Sequence, residues 1–497
     1  MVRIAFVNPQ GNFDPADSHL TAHPDFGGQL VYVKQVALAL AEMGHEADIL
    51  TRQIADEEWP QFAAAEDAYL GCPGVRILRF PCGPPHFLPK EELWSHLSEW
   101  VGHIERWYRT EGVWPSLWTG HYADGGLCAA LLEELSGVPF TFAAHSLGAA
   151  KLDRLLHPDD PSHTLEALDA RYNFGARIAA ERAAVARSAC VITSTSHERH
   201  KEYQHPAYLD VINAGEDSRF ALIPPGVDLT LFAPEGKGLC EESVLEAVAS
   251  ALARDILPER RGLPAVISWS RLDPTKNHLG LVRAFAESAE LRECANLLII
   301  TRGVPDPLRK PWTAPAPEQE VLLSLASTIE DTGLWGTVTA FSLEGQDAAA
   351  ALYRWGVQRG AVFCLPSHHE PFGLSLLEAM AVGLPVVATE NGGPREITDD
   401  GRAGLLASPD DPAESGAHLA RLLNDQETWR HYSSLGRSRV LEQYSWTRAA
   451  HSYAELAMET AAGWRAGDRS YPLPEFVRQT PPVKLPRLAG WVRATTR

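Results

Sequence analysis

The stretch AVFCLPSHHEPFGLSLLEAM, Ala361–Met380, reads as three pieces in succession. AVFCL is a short apolar run of the kind that forms a strand buried on both faces. PSHHEPFG is a loop punctuated by proline and glycine. From about Leu374 the apolar residues Leu374, Leu377 and Ala381 recur at helical spacing. Strand, loop, helix is the repeating unit of a parallel α/β sheet, and such sheets bind ligands on the loops beyond their carboxyl edge. This loop carries Glu370, and Glu378 follows eight residues later, one turn into the helix. The two carboxylates can therefore look into one crevice from different depths. Phe372, Gly373 and Leu374 offer backbone N–H groups at the helix N-terminus, a natural seat for phosphate. Glu378 alone would pass as a first-turn acid favoured by the helix dipole; with the loop glutamate and the glycine it points to a site.

A second stretch of the same design lies upstream. SRLDPTKNH (270–278) again separates an apolar run from a helix and places two cations, Arg271 and Lys276, at a strand's carboxyl end. Arginine offers a fork for phosphate oxygens and lysine a point charge. Together with the Glu370 loop they describe a nucleotide-diphosphate site, to which NGGP (391–394) adds a third loop suited to close approach.

The same alternation runs through the whole chain. RIAFVN (3–8), EADIL (46–50), VRILRF (75–80), PFTFAAH (139–145), CVITSTS (190–196) and ALIPPG (221–226) form one series of apolar runs. AVISWSR (265–271), NLLIIT (296–301), VTAFSL (338–343), AVFCLPS (361–367) and PVVAT (385–389) form another. Two series in 497 residues predict two Rossmann-like domains, with the boundary after IPPGVD (223–228), where Pro–Pro–Gly breaks any regular element. In the first, Gly27 and Gly28 stand at the mouth of a helix whose buried face is Leu30, Val33, Ala37 and Leu40 and whose C-terminal cap is Gly44. Such a pair serves a sharp turn or the close approach of a ligand. Residues 229–260 read as a less regular connection with helical stretches, and the proline-rich YPLPEFVRQTPPVKLPR (471–487) as a segment extended on the surface.

Composition narrows the function. Lysine and arginine number 44 against 64 aspartates and glutamates, a net charge of −20, which argues against nucleic acid as a partner. Seven cysteines without CxxC spacing fit free thiols in a reducing compartment. The N-terminus lacks the shape of a signal peptide and no run of 18 apolar residues occurs, so the expectation is a cytoplasmic protein without a membrane span. No GxGxxG follows the opening strand, which disfavours a dinucleotide oxidoreductase.

EPFGLSLLE resembles the E-x7-E motif of retaining GT-B glycosyltransferases, and SRLDPTKN resembles their donor-phosphate loop. Within that group the chain is similar to the sucrose-phosphate synthase family. The similarity runs in order through NPQGNFDPADS, HPDFGGQLVYVK, FLPKEELW, GHYADGG, PFTFAAHSLGAAKL, IPPGVD, SRLDPTKNH and EPFGLSLLEAM, covering about residues 1–445. The resemblance implies an α/β GT-B fold, two Rossmann-like domains facing each other across a cleft. Residues 1–225 would bind the acceptor, 226–445 the nucleotide sugar, and 446–497 would return to the first domain.

The resemblance also implies roles. Arg271 and Lys276 would hold the donor diphosphate, Glu378 the ribose hydroxyls and Glu370 a hydroxyl of the transferred glucose. Phe372, Gly373 and Leu374 would line the donor site, and His145 would contact the sugar near the reacting centre. Gly27 and Gly28 would form the loop beneath the acceptor and the donor phosphates, and Gln29 would hydrogen-bond the acceptor. Tyr122 would contact its sugar, Ser146 would belong to the acceptor site, and Lys90, Lys151 and Arg177 would bind its phosphate. Arg177 could equally pair with Glu181 at i+4, and Ala176 stands where a second basic residue can occur in the family.

The implied reaction is transfer of glucose from UDP-glucose to fructose 6-phosphate, giving sucrose 6-phosphate and UDP with configuration retained. No bound metal is required, although Mg2+ accompanying UDP would be compatible. A separate sucrose-phosphate phosphatase would act on the product. Alternatives are a synthase with another donor or acceptor, such as mannosylfructose-phosphate synthase or sucrose synthase, and a non-catalytic sugar-phosphate sensor.

Overall fold

Two parallel sheets organise the chain. A computed structural model describes residues 1–20, 25–157, 160–236, 238, 240–463, 467–478 and 485–486. His23 and Pro24 of the opening motif and most of the stretch after Arg478 lie outside these. The chain divides into two units: Met1–Pro224 with the segment from Trp446 onward, and Pro225–Ser445.

The first unit contains β1 (Arg3–Val7), β2 (Glu46–Arg52), β3 (Glu66–Asp67), β4 (Val75–Phe80), β5 (Leu117–His121), β6 (Phe140–Ala143), β7 (Cys190–Thr193) and β8 (Phe220–Leu222). Their order is β3-β4-β2-β1-β5-β6-β7-β8, parallel except for β3. The second contains β9 (Ala265–Trp269), β10 (Asn296–Thr301), β11 (Val338–Ser342), β12 (Val362–Leu365), β13 (Val386–Thr389) and β14 (Leu405–Ala407), ordered β11-β10-β9-β12-β13-β14 and wholly parallel. Every residue of β9, β10 and β12 is buried, which is why these strands read as unbroken apolar runs.

Strand order decides where ligands can bind. The second sheet winds outward in both directions from β9 and β12, and the first from β1 and β5. Loops leaving such a central pair diverge to opposite faces and open a crevice at the carboxyl edge. The loops after β9 and β12 hold Arg271, Lys276 and Glu370; the connection after β1 leads to the Gly27–Gly28 pair, and Tyr122 opens the helix directly after β5.

Helix Gly28–Glu42 buries Leu30, Val33, Ala37 and Leu40 completely, and Gly44 ends it with a positive φ of 81°. Helix Trp446–Ala461 packs in the same core cluster through Trp446, Ala450, Tyr453 and Ala457, a stripe at helical spacing. The helical stretch expected within residues 229–260 is a regular helix, Glu241–Asp255, that buries Val244, Val248 and Ala251. One expectation needs correction. The proline-rich stretch is not simply extended over the surface: Leu473, Phe476 and Val477 are buried, with Phe476 edge-on to Trp94 at 6.0 Å. Apolar side chains spaced between prolines supply enough buried area to anchor it.

Candidate active site

In the second unit the three loops seen in the sequence converge. Helix Leu374–Val382 follows β12 with Gly373 as its N-cap; the N–H groups of Leu374 and Ser375 have no acceptor within the helix, while that of Leu376 donates to Gly373 O. Lys276 Nζ lies 2.6 Å from Glu370 Oε2, which also accepts from Ser367 Oγ at 3.2 Å. The predicted phosphate cation and sugar-binding carboxylate are thus each other's counter-ions. The backbone fastens the loops together: Glu370 N–H donates to Asn391 O and Gly393 N–H to Glu370 O. His368 N–H donates to Thr275 O at 2.8 Å. Gly392 makes the contact possible. Its φ is 100°, and a Cβ there would fall 2.1 Å from the Glu370 carbonyl oxygen.

Glu378 keeps part of its surface open, yet the protein packed around its carboxyl pushes its pKa up to about 7, with Gln346 and Arg302 opposing the rise. Gln346 Nε2 donates to Glu378 Oε1 at 2.9 Å. Arg302, just beyond β10, is held below the usual arginine value by burial and by the charge of Arg271, while Glu378 and Glu344 pull it back up. Arg271 is exposed. Arg302 and Gln346 are residues the sequence reading missed, because neither ITRG nor EGQDAAA carries a distinctive pattern.

In the first unit, Gly27 is the N-cap of the first helix, with φ −85°, and a Cβ added there would meet nothing within 4 Å. Neither backbone nor packing demands a glycine at that position. Gly28 beside it is also exposed, whereas Gln29 is buried and its amide donates to Asn8 Oδ1 at the end of β1. Tyr122 and His145 both adopt the left-handed region, at φ 58° and 54°. That conformation is uncommon outside glycine and gathers at functional sites. Their rings lie 5.5 Å apart. His121 Nδ1 and His145 Nε2 are hydrogen-bonded at 2.7 Å, and burial lowers the pKa of His145 to about 3.

The three cations expected to hold the acceptor phosphate lie close enough to act on one another. Lys151 has its pKa lowered to about 8 by burial and then by the charges of Arg177 and Lys90. Asp124 is pushed up to about 6 by burial, against the pull of the same Arg177 and Lys90. Two cations are already partnered. Lys90 Nζ lies 2.5 Å from Asp25 Oδ1, and Arg177 Nε lies 2.9 Å from Glu181 Oε1 and also donates to Ser146 O. The i+4 pairing of Arg177 is therefore real. Glu181, fully buried, also accepts from the Gly148 N–H and the Tyr208 hydroxyl. Lys151 lies over the Tyr172 ring at 5.4 Å, and among the described residues no carboxylate lies within ion-pair distance of it. No three His, Cys, Asp or Glu among the described residues are arranged to hold a metal ion.

Residues 251–439 match the family Glycosyl transferases group 1, and residues 27–202 match a Glycosyl transferase 4-like domain. The chain is 38% identical over 455 residues to a protein described as a probable sucrose-phosphate synthase from Thermosipho melanesiensis, covering 92% of this chain and 96% of that one. It is 32% identical to the sucrose-phosphate synthase of Spinacia oleracea over 90% of its own length, but spans only 47% of that longer protein. Among solved structures, a sucrose-phosphate synthase from Thermosynechococcus elongatus superposes with a TM-score of 0.69 at 25% identity, covering 93% of this chain and all of that one. The chain belongs to the sucrose-phosphate synthase family of GT-B hexosyltransferases.

Proposed function

We propose that this enzyme transfers glucose from UDP-glucose to fructose 6-phosphate, giving sucrose 6-phosphate and UDP with retention at the anomeric carbon. The observation that carries the reading is the convergence of Lys90, Lys151 and Arg177 in a chain of net charge −20, with Lys151 lacking a carboxylate partner among the described residues. Such a cluster suits a dianionic phosphate remote from the new bond. Binding there would orient the fructose hydroxyl against the sugar carbon, drawing on energy from a part of the substrate that does not react. The similarity to sucrose-phosphate synthases from Thermosipho melanesiensis and Thermosynechococcus elongatus supports the same reading.

The second unit would hold the donor. Arg271, Lys276 and the N–H groups of Phe372, Gly373 and Leu374 would face the diphosphate, Glu378 the ribose, and Glu370 a glucose hydroxyl once Lys276 turns to phosphate. The fructose oxygen would bond to the anomeric carbon on the face from which UDP leaves. As the carbon–phosphate-oxygen bond breaks, the departing phosphate would take the hydroxyl proton. Positive groups fixed around it would stabilise its growing charge, with no metal required. Glu370 and Glu378 would not act as the nucleophile and acid of a retaining hydrolase.

Among the described residues no helix is long and apolar enough to cross a membrane, and all seven cysteines are free thiols. Both fit a cytoplasmic enzyme whose product passes to a separate phosphatase. The test is to incubate the protein with UDP-glucose, ADP-glucose or GDP-mannose against fructose and fructose 6-phosphate and to identify the product. Sucrose 6-phosphate from UDP-glucose is the expected result. Equal use of fructose and fructose 6-phosphate would end the phosphate-pocket reading, and a mannosyl product would replace the donor.

A further inference from the structure

We propose that His121 is a positioning residue: it holds Nε2 of His145, so that this imidazole meets a bound sugar through Nδ1 alone, in one fixed neutral tautomer. The inference rests on the reading of His145 as a sugar contact. His121 ends β5 and is 1% exposed. Its ring lies 5.8 Å from Phe6 and 6.0 Å from Tyr32, and nearly parallel to His145, at 19°. The Nδ1–Nε2 separation of 2.7 Å is a full hydrogen bond.

A neutral imidazole has one N–H and one bare nitrogen, so a bond between two neutral rings takes a donor from one and a lone pair from the other. Fixing either ring fixes both. The pair is neutral because burial disfavours charge on each ring, and on His121 a charge at His145 would add to that penalty. His121 Nε2 faces the hydroxyl of buried Thr119 at 3.4 Å, a group that can donate to that nitrogen or accept from it, so the far end of the pair is also held inside the sheet. The other nitrogen of His145 takes no hydrogen bond among the described residues, and Tyr32, edge-on at 5.3 Å, and Tyr122 flank the ring. The left-handed backbone at His145 aims a side chain that its neighbour then locks. An unheld imidazole would exchange tautomers, offering the sugar a donor at one moment and an acceptor at the next.

The test labels histidine with nitrogen-15 in the full-length protein and identifies the His145 signals by their loss in His145→Gln. In the unmodified protein one His145 nitrogen should be wholly protonated and the other wholly bare across neutral pH. His121→Phe keeps an aromatic ring in the packing but removes the bond. It should average the two nitrogens and lower kcat by about tenfold, the worth of one lost hydrogen bond, leaving the donor KM in place. His121→Asn, whose amide can bond from the same strand end, should return a single tautomer and most of the turnover. Averaged nitrogens in the unmodified protein would overturn the proposal, as would a single tautomer persisting in His121→Phe or no recovery in a folded His121→Asn. If His121→Phe does not fold, the unmodified protein and His121→Asn decide between them. Full transfer activity in His145→Ala would instead sink the reading of the site, whatever the spectra show.

Discussion

Replacing Lys151 by methionine should weaken binding of the phosphorylated acceptor without destabilising the protein. Burial and the charges of Arg177 and Lys90 hold the Lys151 amine at about 8 instead of 10.5. That difference corresponds to about 3 kcal/mol against the charged form, which screening at a half-buried side chain reduces to about 1 kcal/mol. Methionine keeps the packing over Tyr172 and removes the repulsion, so Tm at neutral pH should hold or rise. The sign follows from proton counting. Between about pH 8 and 10.5 the unfolded chain keeps a proton that the folded chain has released, so the unmodified protein gains stability as pH rises there. The methionine variant lacks that gain. A bound phosphate would restore the charge on Lys151, so acceptor binding should take up a proton near pH 8 and the acceptor KM should climb above it. Loss of one charge-assisted hydrogen bond predicts a KM for fructose 6-phosphate higher by about ten- to a hundredfold, with fructose unaffected. Initial rates with both acceptors, thermal melts across pH and isothermal titration in two buffers measure all of this. A KM that rises equally for fructose and fructose 6-phosphate, or a variant that melts earlier at neutral pH, would refute the reasoning.

Gly27→Ala should melt like the unmodified protein, since its Cβ meets nothing within 4 Å, yet lose transfer activity; unchanged activity would mean that no ligand approaches there. Gly392→Ala should do the opposite in order of cause, lowering Tm by distorting the Glu370 loop, which differential scanning calorimetry would register. Glu378→Gln should raise Tm at pH 8 while raising the donor KM. The carboxyl's value of about 7 lies above the ordinary 4.5, so the stability linked to its proton is complete below pH 4.5 and lost as pH passes 7; a variant that melts earlier at pH 8 would contradict this. Transfer should survive excess EDTA after metal-free dialysis, because Arg271, Lys276 and the helix N–H groups would meet the leaving charge; loss restored only by added Mg2+ would require a metal in the step.

Much of the fold was legible because strands buried on both faces have to be apolar throughout, as β9 and β10 are. β5 escaped notice because its inner residues include Thr119, Gly120 and His121, polar or small groups whose partners are each other and, for His121, the distant His145. β3 and β14 are two and three residues long, too short for any period to appear. On the loops after β9 and β12 Arg271, Lys276, Glu370 and Glu378 stood out because each follows a strand at a breaker or lies in the first turns of a helix. What the sequence could not reveal was most of the partnership: that Lys276 faces Glu370, that Glu181, whose i+4 pairing with Arg177 the spacing does suggest, also takes the Gly148 N–H, or that Gln29 turns onto Asn8. Those pairings depend on which loops tertiary packing brings within a few ångströms, and spacing along the chain does not encode that.

The return of the chain at Trp446 affects how the protein is made. Val227, near the entry to the second unit, is bridged to Ser445 at its exit. A polypeptide cut to 225–445 would therefore have neighbouring ends and could close on itself during synthesis. The first unit has no such independence, since Trp446, Ala450 and Tyr453 of its core leave the ribosome only after the whole of its guest. Translation should thus yield a finished inner domain while the outer one still waits for its last helix, and that interval is when the nascent chain most needs protection from aggregation.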